Sequence, residues 1–426
     1  MSLLRNKFGI IADDLTGAND SGVQLAKKGL SSTVLLKEEA GETLADAVIL
    51  DTDSRSAAPE VASEKVSQAA RLLKKMGVIH FYKKLDSTMR GNVPEELAAM
   101  EAVCKPDMMV IAPAFPKLNR ITRDGNHYVN GQLITETEFA KDPKTPVTEG
   151  YLPSLFEKAA GGRITLLPMD QVRQGPQRIA GFAEEAACKG QNWIVCDAET
   201  DEDLRAIAEG FGKLESTIVW AGSGGLAEQL PDALKLTTDQ QQAAKKPAAE
   251  KVLVVSGSLS DATRRQLEAL RLQPDVHMIE ADPAAFVRGD VMKADMYCPS
   301  DKHLALFVGS GEDKRESALK AGQALGLDKQ QIGERIAEGL GRTAEELIRK
   351  YPEVDALILT GGDTAKTVCS QLGLDRMQLL DEVEPGLPFG RLYGADSEYW
   401  AVTKAGGFGN PSSLACALRL VTGKDE

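Results

Sequence analysis

Apolar runs alternate with amphipathic stretches along the whole chain. Runs rich in Val, Ile and Leu, each closed by turn residues, begin at Phe8 (FGIIADD), Asp46 (DAVILDTD), Val78 (VIHFYKKLD), Met108 (MMVIAPAF), Ile164 (ITLLPM) and Trp193 (WIVCDAET). Between them lie segments with apolar residues at helical spacing, such as PEVASEKVSQAARLLKKMG and GPQRIAGFAEEAACKG. Near-continuous apolar strands separated by helices predict parallel sheets covered on both faces, an α/β fold.

The rhythm breaks once. Residues 236–251 read LTTDQQQAAKKPAAEK, polar and without an apolar stripe, which predicts a linker. A second series follows, with strands at KVLVVSGSLS (from Lys251), LALFVGSG (Leu304), ALILTGGD (Ala356) and YWAVTKAGGFG (Tyr399). The expected division is a first domain over 1–235, a linker over 236–251 and a second domain over 252–426. Each domain is expected to be a mainly parallel sheet flanked by helices, with the active site in the cleft between them. The helical run 315–350 is expected only to cover the second sheet.

Composition narrows the class. Hydrophobic residues at 42% and charged residues at 27% exclude a disordered or fibrous chain. A formal net charge of −13 argues against a nucleic-acid partner, since phosphate backbones select basic surfaces. The N-terminal residues lack an apolar core followed by a cleavage site, and charges interrupt every apolar run before it could span a bilayer. The six cysteines show no CxxC spacing and read as buried, reduced thiols. Together these features predict a cytoplasmic protein with no membrane partner.

In parallel α/β sheets, ligands gather where strands end and helices begin. Four such segments in the first domain carry chemistry. IADDLTGAND places Asp13 and Asp14 at a strand end with Asp20 close by; these carboxylates can hold a hydroxyl-rich ligand, take its proton, or cap the next helix. DTDSRS puts Asp53 and Arg55 after the next strand, where an arginine can clamp a carboxylate. In FYKKLDSTMRGN, strand alternation sets Lys84 and Asp86 on one face and Lys83 on the other, followed by Leu85, Ser87, Thr88, Arg90 and Gly91. Two lysines, a carboxylate and two hydroxyls in so short a span fit an anionic, polyhydroxylated ligand. The fourth segment, APAFPKLNRITRDGNHYVNGQLITETEFAKDP, is expected to be a long functional loop, and its lone His127 reads as structural. No His, Cys and carboxylate spacing points to a transition-metal site.

The second domain offers glycine instead of charge. SGSLSDAT (256–263), LTGGDTAKT (359–367) and TKAGGFGNPSS (403–413) each follow an apolar strand and precede a helix-forming stretch. Glycine lets backbone N–H groups approach phosphate, and the following helix adds its dipole. A fourth turn, AGSGG at 221–225, closes the last strand of the first domain. There is no GxxxxGK[ST] and no GxGxxG, so a nucleotide is expected to be held by several separate loops.

Taken in order, IADDLTGAND, DTDSRS, KKLDSTMRGN, APAFP, VVSGSLS, LTGGDTA and KAGGFGNP resemble the four-carbon acid sugar kinase family over nearly the whole chain. The resemblance implies an N-terminal domain that binds the acid sugar and a C-terminal domain that binds ATP, with Mg²⁺. It also implies transfer of the γ-phosphoryl group to the terminal hydroxyl of a tetronate. Carried over by position, it implies an acid-sugar site at Asp13 or Asp14, Arg55, Lys83, Lys84, Leu85, Asp86, Ser87 and Arg90. ATP contacts are implied at Ser258, at Gly361, Gly362, Asp363 and Thr364, and at Gly406. The KLDST and KAGGFGN motifs resemble the D-threonate and D-erythronate kinases more than the 3-oxo-tetronate kinases, so D-threonate is the expected acceptor.

In the expected mechanism, Arg55 and a lysine of the 83–84 pair bind the substrate carboxylate. Asp14 or Asp86 takes the hydroxyl proton, and Asp363 is a candidate magnesium ligand. A homodimer is compatible with the sequence. Two rivals are weighed against this reading. A nucleotide-dependent ligase or dehydrogenase is one, the latter opposed by the missing dinucleotide fingerprint. A non-catalytic acid-sugar sensor is the other.

Overall fold

A computed structural model of the chain describes residues 7–37, 45–142, 144–236, 247–292, 299, 301–309 and 311–424. It divides into two compact units, one of residues 1–34 and 41–242 and one of 243–426 together with 35–40. Within the expected linker, residues 237–246 lie outside the described residues. No described helix is long and apolar enough to cross a membrane.

The first unit opens with β1 (Lys7–Ala12), β2 (Ser32–Leu35), β3 (Ala47–Asp51), β4 (Val78–Lys84) and β5 (Met108–Ala112). The chain then makes a small separate sheet from β6 (Arg120–Arg123), β7 (Asn126–Val129) and β8 (Gln132–Leu133). It rejoins the main sheet with β9 (Ile164–Leu167), β10 (Trp193–Cys196) and β11 (Ile218–Gly222). The main sheet runs β2-β3-β1-β4-β11-β5-β10-β9, and the pairs from β3 to β9 are parallel. Burial on both faces is what the unbroken apolar runs require: Ile10, Ile49, Tyr82, Val110, Ile194 and Trp220 are all buried.

Residues 113–142, expected to be a loop, instead hold β6–β8. Asp124-Gly125 and Asn130-Gly131 have positive φ at every position and form the two tight hairpin turns. Val129, Ile134 and Val147 give this insert its own small core, with Phe139 packed against it. Its strands are too short to show an alternation, which is why the region reads as irregular.

The second unit contains β12 (Lys251–Ser256), β13 (Val276–Ala281), β14 (His303–Val308), β15 (Val354–Thr360), β16 (Leu374–Glu382), β17 (Pro388–Gly394) and β18 (Glu398–Lys404). Its order is β13-β14-β12-β15-β18-β17-β16; the pairs from β13 to β18 are parallel, whereas β17 is antiparallel to both neighbours. The run expected as one helix is two, Glu312–Ala324 and Lys329–Lys350, with Asp328 capping the second.

The cysteine reading needs one correction. Cys196 and Cys369 are buried and Cys104 and Cys416 partly so, but Cys188 is exposed because it closes the helix Pro176–Cys188 at the surface. Cys298 lies outside the described residues.

Both units wind the same way. In the first, β1 lies between β3 and β4, with β2 beyond β3. In the second, β12 lies between β14 and β15, with β13 beyond β14. The winding direction therefore reverses between β1 and β4, and again between β12 and β15. Such switch points open a crevice beyond the carboxyl ends of the strands.

Candidate active site

At the first switch point, β1 ends in Asp13 and Asp14, and β4 runs into Lys84, Leu85 and Asp86. Asp14 has extended backbone and caps the helix Leu15–Lys27, its Oδ1 accepting the Gly17 N–H at 2.7 Å. Capping engages one oxygen only. The other, Oδ2, lies 2.8 Å from Arg55 Nη1. Arg55 also grips Asp13 with two parallel bonds, Nε to Oδ2 at 2.7 Å and Nη2 to Oδ1 at 2.9 Å.

One guanidinium thus serves two carboxylates, and the two diverge. Burial opposes ionisation of Asp13, but Arg55 and, farther off, Lys83 outweigh it and hold its pKa below the ordinary value. Burial likewise raises Asp14; Arg55 and Lys84 only partly offset that, and the negative Asp13 adds to it, so its pKa stands above the ordinary value. Adjacent carboxylates pushed apart in this way mark the more basic one as a proton acceptor.

The lysine pair also separates. Lys83 is fully buried, with Nζ 2.8 Å from Glu96 Oε2 and donating to the Lys84 carbonyl at 3.0 Å. Glu96 in turn accepts from the Ser54 hydroxyl. This internal ion pair ties β4 to the helix Val93–Cys104 and leaves Lys83 no route to a ligand. Lys84 emerges on the opposite face. Its Nζ donates to the Leu85 carbonyl at 2.9 Å and lies about Gly17, beside the Asp14 carboxylate.

Beyond β4 the chain turns sharply. Asp86 Oδ2 accepts from Thr88 Oγ1 at 2.6 Å and from Arg90 Nε at 2.6 Å. Burial works against its charge, yet Arg55 and Arg90 with these hydrogen bonds hold it well below the usual carboxylate range. Such a carboxylate is a poor base. Leu85 is core, its N–H donating to the Gly222 carbonyl. Gly91 has φ of 96°, and a Cβ there would come within 3.1 Å of Arg55 Cγ, so only glycine lets the two loops approach. Asn92 completes the join, donating to the carbonyls of Ser54 and Ala57 at 3.0 and 2.9 Å.

The hairpin insert braces the same turn. His127 Nε2 lies 2.9 Å from the Ser87 carbonyl, which can only accept, so Nε2 carries the proton and Nδ1 accepts from the Thr122 hydroxyl. Burial depresses its pKa to about 4, which keeps it neutral and structural. Arg90 stacks over Phe139 at 5.4 Å and reaches Asp142 at 3.4 Å. The insert also delivers Arg120, which the sequence reading passed over.

At the second switch point the glycine turns after β12, β15 and β18 sit side by side, because those strands are adjacent in the sheet. Gly361 N–H donates to the Lys404 carbonyl at 2.8 Å, and Thr263 Oγ1 donates to the Gly406 carbonyl at 2.8 Å. Ser258 Oγ takes part in bonds with Ser260 and Thr263. A Cβ on Gly406 would fall 2.3 Å from Ser258 Oγ, so this contact exists only with glycine. Gly362, Asp363 and Thr364 form the first turn of the helix Gly362–Gln371; Thr364 is buried and Asp363 exposed.

One cation serves these turns. Lys404 is buried, and its Nζ donates to the carbonyls of Ala405, Gly406 and Phe408 at 2.8, 3.1 and 3.2 Å. Burial brings its pKa down to about 8, although Glu384 opposes the shift. Among the described residues, no three His, Cys, Asp or Glu side chains converge as a metal site.

Comparison with known proteins matches both halves. Residues 8–230 fit a family model described as a sugar-binding N-terminal domain, and residues 253–414 fit a nucleotide-binding C-terminal domain. A D-threonate kinase of Salmonella typhimurium is 32% identical, the match covering 97% of this chain and 98% of the relative. A D-erythronate kinase of Heliobacterium modesticaldum is 34% identical over 96% of this chain and 95% of the relative. A crystal structure of a Haemophilus influenzae protein superposes with a TM-score of 0.79 at 25% identity, covering 97% of this chain and 100% of that one.

Proposed function

The chain belongs to the four-carbon acid sugar kinase family, and we propose that it transfers the γ-phosphoryl group of ATP to the terminal hydroxyl of D-threonate. The observation that carries the mechanism is the divergence of Asp13 and Asp14 around Arg55. Asp13 stays ionised and holds the guanidinium; Asp14, partly exposed and the more basic, orients the acceptor hydroxyl and takes its proton. Asp86, fixed by two arginines, shapes the substrate loop and does no proton transfer.

In the second unit, backbone N–H groups of the Gly361–Gly362 turn and the turn at Gly406, with the Ser258 hydroxyl, receive the nucleotide phosphates. Phosphoryl transfer asks the protein chiefly for positioning and charge stabilisation, which suits two rigid sets of strand-end loops. Magnesium accompanies ATP in this reading, where it neutralises phosphate charge. The lack of a converging carboxylate cluster fits a cation held mainly by phosphate oxygens and water, with exposed Asp363 as its protein contact.

D-erythronate is the second candidate acceptor, because a relative of comparable identity is named for it. The test is ADP release with ATP and Mg²⁺ against D-threonate, L-threonate, D-erythronate and the 3-oxo-tetronates. D-threonate is expected to give the highest kcat/KM. Preference for another member corrects the acceptor, and no stimulation by any tetronate refutes the kinase reading.

A further inference from the structure

The acid-sugar site must supply a positive charge for the substrate's carboxylate, and the expected suppliers are already committed. Arg55 faces two protein carboxylates within 2.9 Å, so that group carries no surplus of positive charge. Lys83 is sealed in its pair with Glu96. Arg90 is held by Asp86 and Asp142.

Arg120 differs. It begins β6, and its backbone pairs with Phe115 in both directions, N–H to carbonyl at 2.8 and 3.2 Å. Phe115 packs where a Cβ on Gly224 would meet its ring and the Asp20 carboxylate, which fixes Arg120 beside the ends of β5 and β11. Its Nη1 donates to the Leu118 carbonyl at 2.7 Å, while its buried Nε has no hydrogen-bond partner. No described carboxylate lies within ion-pair distance of it, although Asp86, Asp20 and Glu138 act on it from farther away. Burial and the like charge of Arg90 both work against its protonation, so an incoming anion relieves a real electrostatic cost.

We propose that Arg120 is the specificity-determining residue that pairs with the carboxylate of the acid sugar. The assignment rests on the acid-sugar reading of this site. It explains why the family-specific insert folds back over the Asp86–Arg90 turn: the insert brings the one arginine whose charge is not answered inside the protein.

Calorimetric titration without nucleotide tests this, using D-threonate and its neutral isostere D-threonamide on the wild type, Arg120→Met and Arg120→Lys. Loss of a charge-assisted hydrogen-bonded pair is expected to weaken D-threonate binding about 100-fold in Arg120→Met. D-threonamide binding should change little. Arg120→Lys keeps the charge without the fork and should recover part of the loss. In turnover, KM for D-threonate should rise while kcat stays within about threefold, the mark of uniform binding.

Unchanged D-threonate affinity in Arg120→Met overturns the proposal, as does an equal loss for acid and amide. So does a wild type that binds neither ligand. If Arg120→Met fails to fold, Arg120→Lys carries the test, with about tenfold weaker D-threonate binding expected and wild-type affinity contradicting it. A wild type that binds D-threonate through Arg120 yet releases no ADP would refute the kinase reading and leave this assignment standing.

Discussion

The two units wind their sheets in the same order and place their sites at the same switch point, yet fill them with opposite chemistry. The first lines its strand ends with charge: Asp13, Asp14, Arg55, Lys84, Asp86, Arg90 and Arg120. The second uses glycine, hydroxyls and backbone, with Lys404 buried beneath and donating to three carbonyls of its own loop. The contrast teaches that the fold supplies a place and the loops supply the ligand class. A small charged acceptor needs paired, directional charges; phosphates of a nucleotide can be met by N–H groups that any residue carries, provided glycine lets them come close.

Breaking the charged side should have the largest effect. Asp86→Ala leaves Arg90, Arg55 and Thr88 without their shared acceptor, and loss of one member of a buried ion network costs about 3–5 kcal/mol. Turnover should fall severely along with the melting temperature; near-wild-type kcat/KM would remove Asp86 from the site. Next comes Lys83→Met, which strands buried Glu96. Denaturant titration should show a loss of about 3 kcal/mol, largely restored by adding Glu96→Gln. No recovery in the double variant would mean that the pair is not the coupling.

The backbone side should respond less and more selectively. Gly406→Ala forces the β18 turn away from Ser258, so KM for ATP should rise about tenfold while that for D-threonate holds, since a displaced turn loses on the order of one hydrogen bond to phosphate. A matching rise in both would contradict the division of labour. The smallest effect is that of pH on Lys404. Its folded pKa is depressed to about 8, so above that value the unfolded chain holds more protons at this site and the group's contribution to stability rises with pH. Over the same window the ammonium that holds the β18 turn is lost, so KM for ATP should climb as pH passes 8. A flat profile from 7 to 9.5 would exclude this role for Lys404.

The same contrast governs how much could be read in advance. Strands in both units were legible because burial on two faces demands unbroken apolar runs. The charged segment 83–90 was legible because packing alone does not explain its composition, and alternation correctly set Lys83 and Lys84 on opposite faces. Partners were not legible: Arg55 meets Asp13 across 42 residues, and Lys83 meets a glutamate on the following helix. Periodicity carries faces, not contacts. Arg120 was missed because the insert read as a loop, although its Asp-Gly and Asn-Gly pairs are a hairpin signal that could have revealed it. The antiparallel β16 and β17 escaped for a different reason, being half-buried and interrupted by charge.

The account turns on Asp14 as the proton acceptor. The most direct test is Asp14→Asn, with kcat and KM for D-threonate measured beside calorimetric affinities for both substrates. A base contributes about 10²–10⁴ in rate, so kcat should fall by that range while both affinities stay near wild type. A kcat within a few-fold of wild type would contradict the account and return the role to Asp86 or to no protein base at all.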